Sequence, residues 1–224
     1  MKSRRRSLLN PELEAIADRI RHCPRCRLAK TRKNAVPGRG DPNAKVVLVG
    51  EAPGVEEDET GFPFVGRAGD VLDELLPEAG LTRERDAFIT NIVRCRPPDN
   101  ENPERNRKPE DDEIAICRSY LCDQLKEIRP TVVVAMGESA AQAILSTTES
   151  ITSIRGNPKW WGPYIVLPTF HPAYPRRGGG SRAMEDLRED FRTVPRLLTR
   201  EIVPEPEAKA EFWCSEGFAA VRGV

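Results

Sequence analysis

The sequence lacks net charge, long hydrophobic runs and any recognisable targeting segment. Its 35 Lys and Arg residues are balanced by 35 Asp and Glu residues, so the overall charge does not indicate a partner. No apolar run approaches the roughly 18 residues needed to span a bilayer. Residues 1–9 are basic but have neither the apolar stretch nor the cleavage site of a signal peptide. We therefore expect an intracellular protein of the cytoplasm that does not bind a membrane.

Histidine and cysteine are scarce enough for each residue to be considered individually. The chain has two histidines and six cysteines. In a reducing compartment, cysteines serve more often as metal ligands, catalysts or core residues than as disulfides, and so we expect no disulfide bond. Cys23 and Cys26 form a CxxC pair, which together with Cys95 and Cys117 would make a four-thiolate site. Such a site suits a 4Fe-4S cluster or zinc.

Cys122 competes with Cys117 for the place of the fourth ligand. On a helix the two residues lie about 140° apart, and Cys117 belongs to the apolar stripe that faces the core. We therefore prefer Cys117 as the ligand, and we interpret Cys214 as incidental. The spacing of the cysteines does not distinguish an iron–sulfur cluster from zinc.

Short apolar runs alternate with helical patterns along the chain. Strands are predicted at residues 45–49, 88–93, 131–135 and 164–167. Helices are predicted at residues 11–21, around 72–79 and at 109–128, and Ser181 is expected to cap a last helix that Pro195 kinks or ends. This alternation predicts one α/β domain, a three-layer α/β/α sandwich with a central four-stranded parallel sheet.

Every chemically suggestive segment follows a predicted strand. These segments are the loop after Gly50, residues 91–95, Gly137 and the loop at His171. The carboxyl ends of parallel strands meet at one edge of a sheet, where ligands of such folds bind. We therefore expect a single functional site at that edge.

Three motifs in order carry a resemblance to a known family. Residues 50–69 read GEAPGVEEDETGFPFVGRAG, Asn91 stands in ITNIVRCRPP, and His171 stands in HPAYPRR. Together they closely resemble the uracil-DNA glycosylase superfamily, and within it family 4, the iron–sulfur enzymes. The resemblance runs from about Cys23 to the last helix. It implies a monofunctional DNA glycosylase, a hydrolase that releases uracil from DNA and leaves an abasic site for base excision repair.

The resemblance also implies a domain plan and a cofactor. Residues 1–203 would form a single domain with a basic CxxC arm at 23–41, and residues 204–224 would be a peripheral tail. A 4Fe-4S cluster would be bound by Cys23, Cys26, Cys95 and Cys117, with zinc less favoured. We expect the cluster to tie the arm to the domain rather than to perform redox chemistry.

One segment departs from the family pattern. The loop at residues 99–108 is several residues longer than usual, which leaves its path open.

Recognition of a uracil flipped out of the duplex falls to three side chains. Phe64 would stack on the base, and the Asn91 carboxamide would pair with uracil N3–H and O4. Cytosine reverses that donor and acceptor and would leave buried groups unpaired. His171 would donate to uracil O2, where negative charge develops as the bond breaks.

The loop after the first predicted strand would complete the site. Its substrate-binding residues are Gly50, Ala52, Pro53 and Gly54. Ala52 occupies the place of the carboxylate found in the best-known family of the superfamily, as in family 4 generally. Glu51 and Glu57 are therefore the candidates to orient the attacking water or stabilise the sugar cation.

Duplex DNA would be held by the loop that follows His171. Tyr174 and Pro175 would wedge into the gap left by the flipped base, and Arg176 and Arg177 would contact phosphates. The basic stretch 19–33, which has no acidic residue, would extend this surface. The expected partner is uracil-containing DNA, single- or double-stranded, bound by a monomer.

Three other functions are compatible with parts of the pattern. A superfamily member that captures abasic DNA covalently through an extra histidine is disfavoured, because no histidine lies between Cys23 and Phe170. A non-enzymatic metal-cluster protein that binds nucleic acid would leave the Gly50–Gly69, Asn91 and His171 motifs unexplained. A preference for a different deaminated base stays open.

Overall fold

The computed structural model of the chain describes residues 10–201 and Cys214. The domain boundary predicted at residue 203 and, apart from Cys214, the predicted tail at 204–224 lie outside the described residues. Among the helices that are described, none is long and apolar enough to cross a membrane.

The helices form where apolar residues recur at helical spacing. Over the described residues the α-helices are α1 (Pro11–Arg21), α2 (Val55–Thr60), α3 (Arg67–Leu75), α4 (Asp111–Ile128), α5 (Glu138–Leu145), α6 (Ile151–Ile154) and α7 (Gly180–Leu198). Helix α1 begins as predicted, because Asn10 Oδ1 accepts hydrogen bonds from the backbone N–H groups of Glu12 and Leu13. Gly80, in the left-handed conformation, ends the 3₁₀ turn that extends α3.

The strands form one mixed sheet. They are β1 (Arg39–Gly40), β2 (Val46–Gly50), β3 (Ala87–Asn91), β4 (Val132–Met136), β5 (Lys159–Trp161) and β6 (Tyr164–Thr169), in the order β1-β3-β2-β4-β6-β5. The four central strands run parallel, and β1 and β5 pair antiparallel at the two edges. The sheet is thus six-stranded rather than four-stranded as predicted, because edge strands of two and three residues are too short to produce a periodic pattern.

Two hydrophobic cores lie on opposite faces of the sheet. Val47 and Val49 of β2 pack into the core that includes α1, α4 and α5. Val46 and Leu48 of the same strand pack into the core that includes α3 and α7. Alternate residues of one strand therefore serve different layers, which is the predicted three-layer arrangement.

The start of the last helix differs from the prediction. Helix α7 has Gly179 at its N-cap and begins at Gly180, after a π-helical turn at Pro175–Gly179. Ser181 therefore lies inside the helix and does not cap it. Pro195 also lies inside the helix, which continues to Leu198 because Leu197 in the final turn is fully buried.

A disulfide bond joins Cys122 of α4 to Cys214, with the two Cα atoms 5.3 Å apart. The expectation of no disulfide was therefore wrong, as was the interpretation of Cys214 as incidental. Cys122 and Cys214 are both buried, in the same hydrophobic core as Cys117. The bond also removes Cys122 from the candidate metal ligands.

Candidate active site and cysteine cavity

A cleft of about 780 Å³ opens at the carboxyl ends of the parallel strands. Pairing within the sheet creates it, because Gly50 at the end of β2 lies opposite Asn91 at the end of β3. The backbone N–H of Gly137, after β4, donates to the carbonyl of Thr169 at the end of β6, 2.8 Å away. Nine predicted site residues line the cleft: Glu51, Ala52, Gly54, Glu57, Phe64, Asn91, His171, Arg176 and Arg177.

Phe64 and Asn91 meet above Gly50. A Cβ atom at Gly50 would lie 2.5 Å from Asn91 Oδ1 and 2.6 Å from Phe64 Cζ, so only glycine fits there. Asn91 is 2% exposed, and its Oδ1 is buried without a hydrogen-bond partner. A buried acceptor without a partner is costly, and this one lies beside an aromatic ring at the cleft.

The backbone of Phe64 is held in an unusual conformation. Its φ of 51° lies in the left-handed region, which a side chain with a Cβ seldom adopts. The Phe64 carbonyl accepts a hydrogen bond of 2.9 Å from Arg83 Nη1. A Cβ atom at Gly69 would lie 2.0 Å from that same carbonyl oxygen. The glycine of the sequence motif therefore lets α3 approach Phe64 closely enough to fix its ring.

His171 faces Phe64 in the same cleft. The two rings are stacked, with centroids 5.7 Å apart and planes inclined by 25°. Burial, assisted by the positive charge of Arg177, lowers the pKa of His171 from 6.5 to about 4, so the imidazole is neutral at physiological pH. Its Nδ1 accepts the backbone N–H of Ala173 at 3.1 Å. The ring proton therefore resides on Nε2, which is a hydrogen-bond donor.

The two candidate carboxylates have different environments. Glu51 lines the cleft half-buried, and its Oε2 accepts a hydrogen bond from the Ser139 hydroxyl. Glu57 is buried, and its carboxylate accepts backbone N–H groups from Gly54 at 2.9 Å, Val65 at 3.0 Å and Gly66 at 3.2 Å. Glu57 thus joins the two ends of the loop at residues 54–66, the active-site loop.

Four predicted site residues do not line the cleft, and one of them, Gly50, lies beneath Asn91 and Phe64. Pro53 is buried, and its carbonyl accepts from Asn106 Nδ2 at 3.5 Å. Tyr174 is 41% exposed and packs against Phe170, with ring centroids 4.8 Å apart. Pro175 begins the π-helical turn that carries Arg176 and Arg177 into the cleft wall.

Part of the long loop at 99–108 also lines the cleft, which the sequence reasoning missed. Arg105, Asn106 and Lys108 line the cleft there, and Gly137 and Ser139 line it after β4. Arg96 holds the loop through a hydrogen bond of 2.7 Å from its Nε to Asn106 Oδ1. Gly137 was already expected at this edge of the sheet, and the position of Ser139 two residues later could have identified it too. The path of the loop had no comparable signal.

Most basic side chains of the stretch 19–33 make contacts within the protein. Six of its seven basic side chains have partners within the protein: Arg19 with Asp123, Arg21 with Glu14, Arg25 with Ser119, Arg27 with Glu110 and Asp112, Arg32 with Cys95, and Lys33 with Glu59. Most of these partners lie on α4 or at its start. These contacts tie the stretch to the domain, and its contribution to the DNA surface stays a prediction.

The four predicted cysteine ligands line one small, almost entirely apolar cavity. All four are free thiols, and burial raises the pKa of Cys95 to about 11 and raises that of Cys117 as well. Cys95 Sγ accepts a hydrogen bond of 3.1 Å from Arg32 Nη1, and Cys117 Sγ accepts one of 3.3 Å from the Arg94 backbone. Over residues 10–201 and Cys214, no three His, Cys, Asp or Glu side chains converge closely enough to hold a single metal ion.

Comparisons with known proteins agree with these motifs. The profile of the Uracil DNA glycosylase superfamily matches residues 37–192. A type-4 uracil-DNA glycosylase of Saccharolobus solfataricus is 43% identical over 196 residues, which cover 84% of this chain and 87% of the relative. One of Thermotoga maritima is 41% identical over 191 residues, covering 84% and 96%. A type-5 uracil-DNA glycosylase of Pyrobaculum aerophilum is 31% identical over 173 residues, covering 70% and 74%.

Proposed function

Because the chain belongs to the uracil-DNA glycosylase superfamily and most resembles its type-4 enzymes, we propose that it removes uracil from DNA. The reaction hydrolyses the N-glycosidic bond of deoxyuridine, releases uracil and leaves an abasic site for base excision repair. The substrate nucleotide is extruded from the helix into the cleft, since the bond is otherwise inaccessible inside the duplex.

The orphaned Oδ1 of Asn91 is the observation that carries this proposal. It lies buried beside the Phe64 ring without a partner, and uracil N3–H supplies the missing donor. The amide Nδ2 of the same side chain then donates to uracil O4. Cytosine presents an acceptor at N3 and a donor at C4, so it would leave both groups of Asn91 unpaired. A site of this kind can discriminate by roughly 10⁴-fold.

His171 stabilises the departing uracil. As the N-glycosidic bond breaks, negative charge moves onto uracil O2, and a hydrogen bond from His171 Nε2 lowers the energy of that charge. The backbone N–H of Ala173 on Nδ1 keeps the ring proton on the nitrogen that can donate. Stacking between Phe64 and His171 keeps both rings oriented on the same ligand.

Glu51 is the group that orients the attacking water or stabilises the sugar cation. Its carboxylate lines the cleft and is held from one side by Ser139, which leaves the other oxygen available to water. Glu57 acts as a positioning residue, because three backbone N–H groups already occupy its carboxylate.

A 4Fe-4S cluster suits the cysteine cavity better than zinc. Four thiolates around one zinc ion lie about 4 Å apart, because Zn–S bonds are about 2.3 Å long, and no group that tight was found among the described residues. Cys23, Cys26, Cys95 and Cys117 would bind the cluster, and the sulfur atoms of Cys95 and Cys117 accept N–H donors, as cluster ligands do. When bound, the cluster would cross-link the CxxC arm to β3 and α4.

DNA is bound across the mouth of the cleft. Arg176 and Arg177 lie exposed at one wall and contact phosphates, and Tyr174 with Pro175 fills the gap left by the extruded base. Arg105 and Lys108 of the long loop extend the contact. The enzyme acts as a monomer on single- or double-stranded DNA in the cytoplasm.

Excision from a uracil-containing oligonucleotide, followed by alkaline cleavage, tests the proposal. Asn91→Ala and His171→Ala are each expected to lower the single-turnover rate by about 100-fold or more. Asn157→Ala, an exposed residue after α6, serves as the matched control and should retain the full rate. Robust excision by both active-site variants would contradict the assigned roles, and no excision by the unaltered protein would contradict the function itself.

A further inference from the structure

Arg94 is the largest fully buried side chain of the described residues, with 1% of its surface exposed. It follows β3 and directly precedes Cys95. Its Nη2 donates to Gln124 Oε1 at 2.7 Å, and Gln124 is itself held by the carbonyl of Pro37 at 2.6 Å. The partner is therefore a neutral amide fixed in place by the backbone.

The remaining donors of the Arg94 guanidinium are unsatisfied. Nε and Nη1 are buried without a hydrogen-bond partner, and no ion pair involves Arg94 over residues 10–201. Burial of a charge without a counter-charge costs several kcal/mol. A fold that buries a guanidinium in this way needs an anion close by.

Among the described residues, the acidic groups that act on the charge of Arg94 are Cys117, Cys95 and Tyr120. Arg94 lines the cavity of the four cysteines, and its backbone N–H already donates to Cys117 Sγ. Protonated thiols are neutral and do not balance the guanidinium. Thiolates bound to a metal centre do, because four thiolates around a 4Fe-4S core leave a net charge of about −2 by formal counting.

A second guanidinium lies on the other side of the same cavity. Arg32 Nη1 donates to Cys95 Sγ, and its Nη2 donates to the carbonyl of Arg21 at 2.9 Å. The two cations together match the formal charge of the loaded site. Zinc with four thiolates would carry the same charge, so this match distinguishes a loaded cavity from an empty one rather than one metal from the other.

We propose that Arg94 is the built-in counter-ion of the cluster, with the half-buried Arg32 as a second cation. The inference rests on the proposed cofactor and assigns a role to two residues that do not line the uracil cleft. Arg94 is a positioning residue: it stabilises the anionic cluster in an apolar cavity and thereby retains it. Outer-shell partners of this kind typically contribute 10- to 100-fold in metal affinity.

The charge also affects the redox properties of the site. Reduction by one electron makes the cluster more negative, and a nearby cation stabilises that state. Removal of the cation is therefore expected to lower the midpoint potential. A purely structural role of Arg94, through its hydrogen bond to Gln124, would leave the potential unchanged.

The test compares purified holoenzyme variants with the unaltered protein. Arg94→Met removes the charge at similar length, Arg94→Lys keeps it, and Arg85→Met changes an exposed arginine before β3, at the opposite end of the strand from Cys95. Under chelator challenge, loss of visible iron–sulfur absorption and of protein-bound iron is expected to be about 10- to 100-fold faster in Arg94→Met. Arg94→Lys and Arg85→Met should stay close to the unaltered protein, and only Arg94→Met should have a lower midpoint potential.

Arg32→Gln keeps the inference testable should Arg94→Met fail to fold, because Arg32 is only half-buried. Arg32→Gln should also release iron faster than the unaltered protein and have a lower midpoint potential. The inference would be overturned if folded Arg94→Met retained iron and kept its midpoint potential. If only Arg32→Gln folds, the same result in that variant would overturn it. Absence of iron from the unaltered protein would also overturn it, while uracil excision, measured separately, would decide the proposed function.

Discussion

Glu57 and Val65 are joined by a hydrogen bond of 3.0 Å from the Val65 backbone N–H to Glu57 Oε1, which anchors the residue next to Phe64. The other carboxylate oxygen holds Gly54. One buried side chain therefore sets the spacing between the start of the active-site loop and the aromatic ring that closes it.

Replacement of Glu57 tests whether it positions the loop or activates water. Glu57→Gln keeps the size but turns an amide N–H₂ toward backbone donors, so we expect the free energy of unfolding to fall by about 1–3 kcal/mol. Excision should slow with the shape of its pH profile unchanged. Urea unfolding and single-turnover rates from pH 4 to 9 measure both. Loss of the acid limb at unchanged stability would instead identify Glu57 as the water-activating base.

Gly50 tests the contact between Asn91 and Phe64. A Cβ atom there would come within 2.6 Å of both side chains, and the displaced carboxamide would no longer meet uracil. We expect Gly50→Ala to lower the excision rate by about 100-fold with unaltered binding of uracil-free DNA, as measured by fluorescence anisotropy. Full activity in this variant would mean that the site tolerates a shift of Asn91.

The lowered pKa of His171 predicts a specific dependence of stability on pH. Between pH 6.5 and about 4 the unfolded chain binds a proton on this residue whereas the folded chain does not, so the free energy of unfolding decreases as pH falls through that window. His171→Gln should make the decrease shallower in urea unfolding at a series of pH values. An identical slope in both proteins would mean that the folded imidazole titrates like a free one.

Salt dependence distinguishes the two basic regions. Arg176→Ala combined with Arg177→Ala should weaken DNA binding and reduce the slope of log K against log salt by about 2. Arg27→Ala is the matched control, because Arg27 is paired with Glu110 and Asp112. Its salt slope should stay unchanged. A smaller salt slope of DNA binding in the Arg27 variant would identify the basic stretch 19–33 as part of the DNA surface.

Variants of the two cysteines of α4 should differ in their iron content. Cys117→Ser is expected to lose iron, whereas Cys122→Ser should keep the full complement. Under non-reducing conditions Cys122→Ser should instead lose about 2–4 kcal/mol of stability, because it opens the bond to Cys214. Iron analysis and unfolding with and without reductant measure both effects. Iron loss from Cys122→Ser alone would reverse the ligand assignment.

The sequence predicted that distant residues lie close together where they stand at the ends of parallel strands. Asn91 and His171 are 80 positions apart, yet Asn91 ends a parallel strand and His171 follows one, and the carboxyl ends of such strands share one edge. The CxxC pair and Cys95 and Cys117 were likewise identifiable from their residue type and their order. Alternating strands and helices also predicted the layered fold, although the two short edge strands were too brief to detect.

By itself, the amino-acid sequence determined the chemistry: the aromatic ring, carboxamide, imidazole and thiols, and the sheet edge to which they belong. Only the tertiary packing decided which partner each side chain has where the sequence allowed several. Glu57 accepts hydrogen bonds from the backbone, Arg27 pairs with Glu110 and Asp112, and Cys122 is bonded to Cys214, while Arg94 is buried without a counter-charge. The physical reason is that periodicity reports which face of an element is apolar, whereas hydrogen-bond and charge partners depend on distances between elements, which only the packed fold defines.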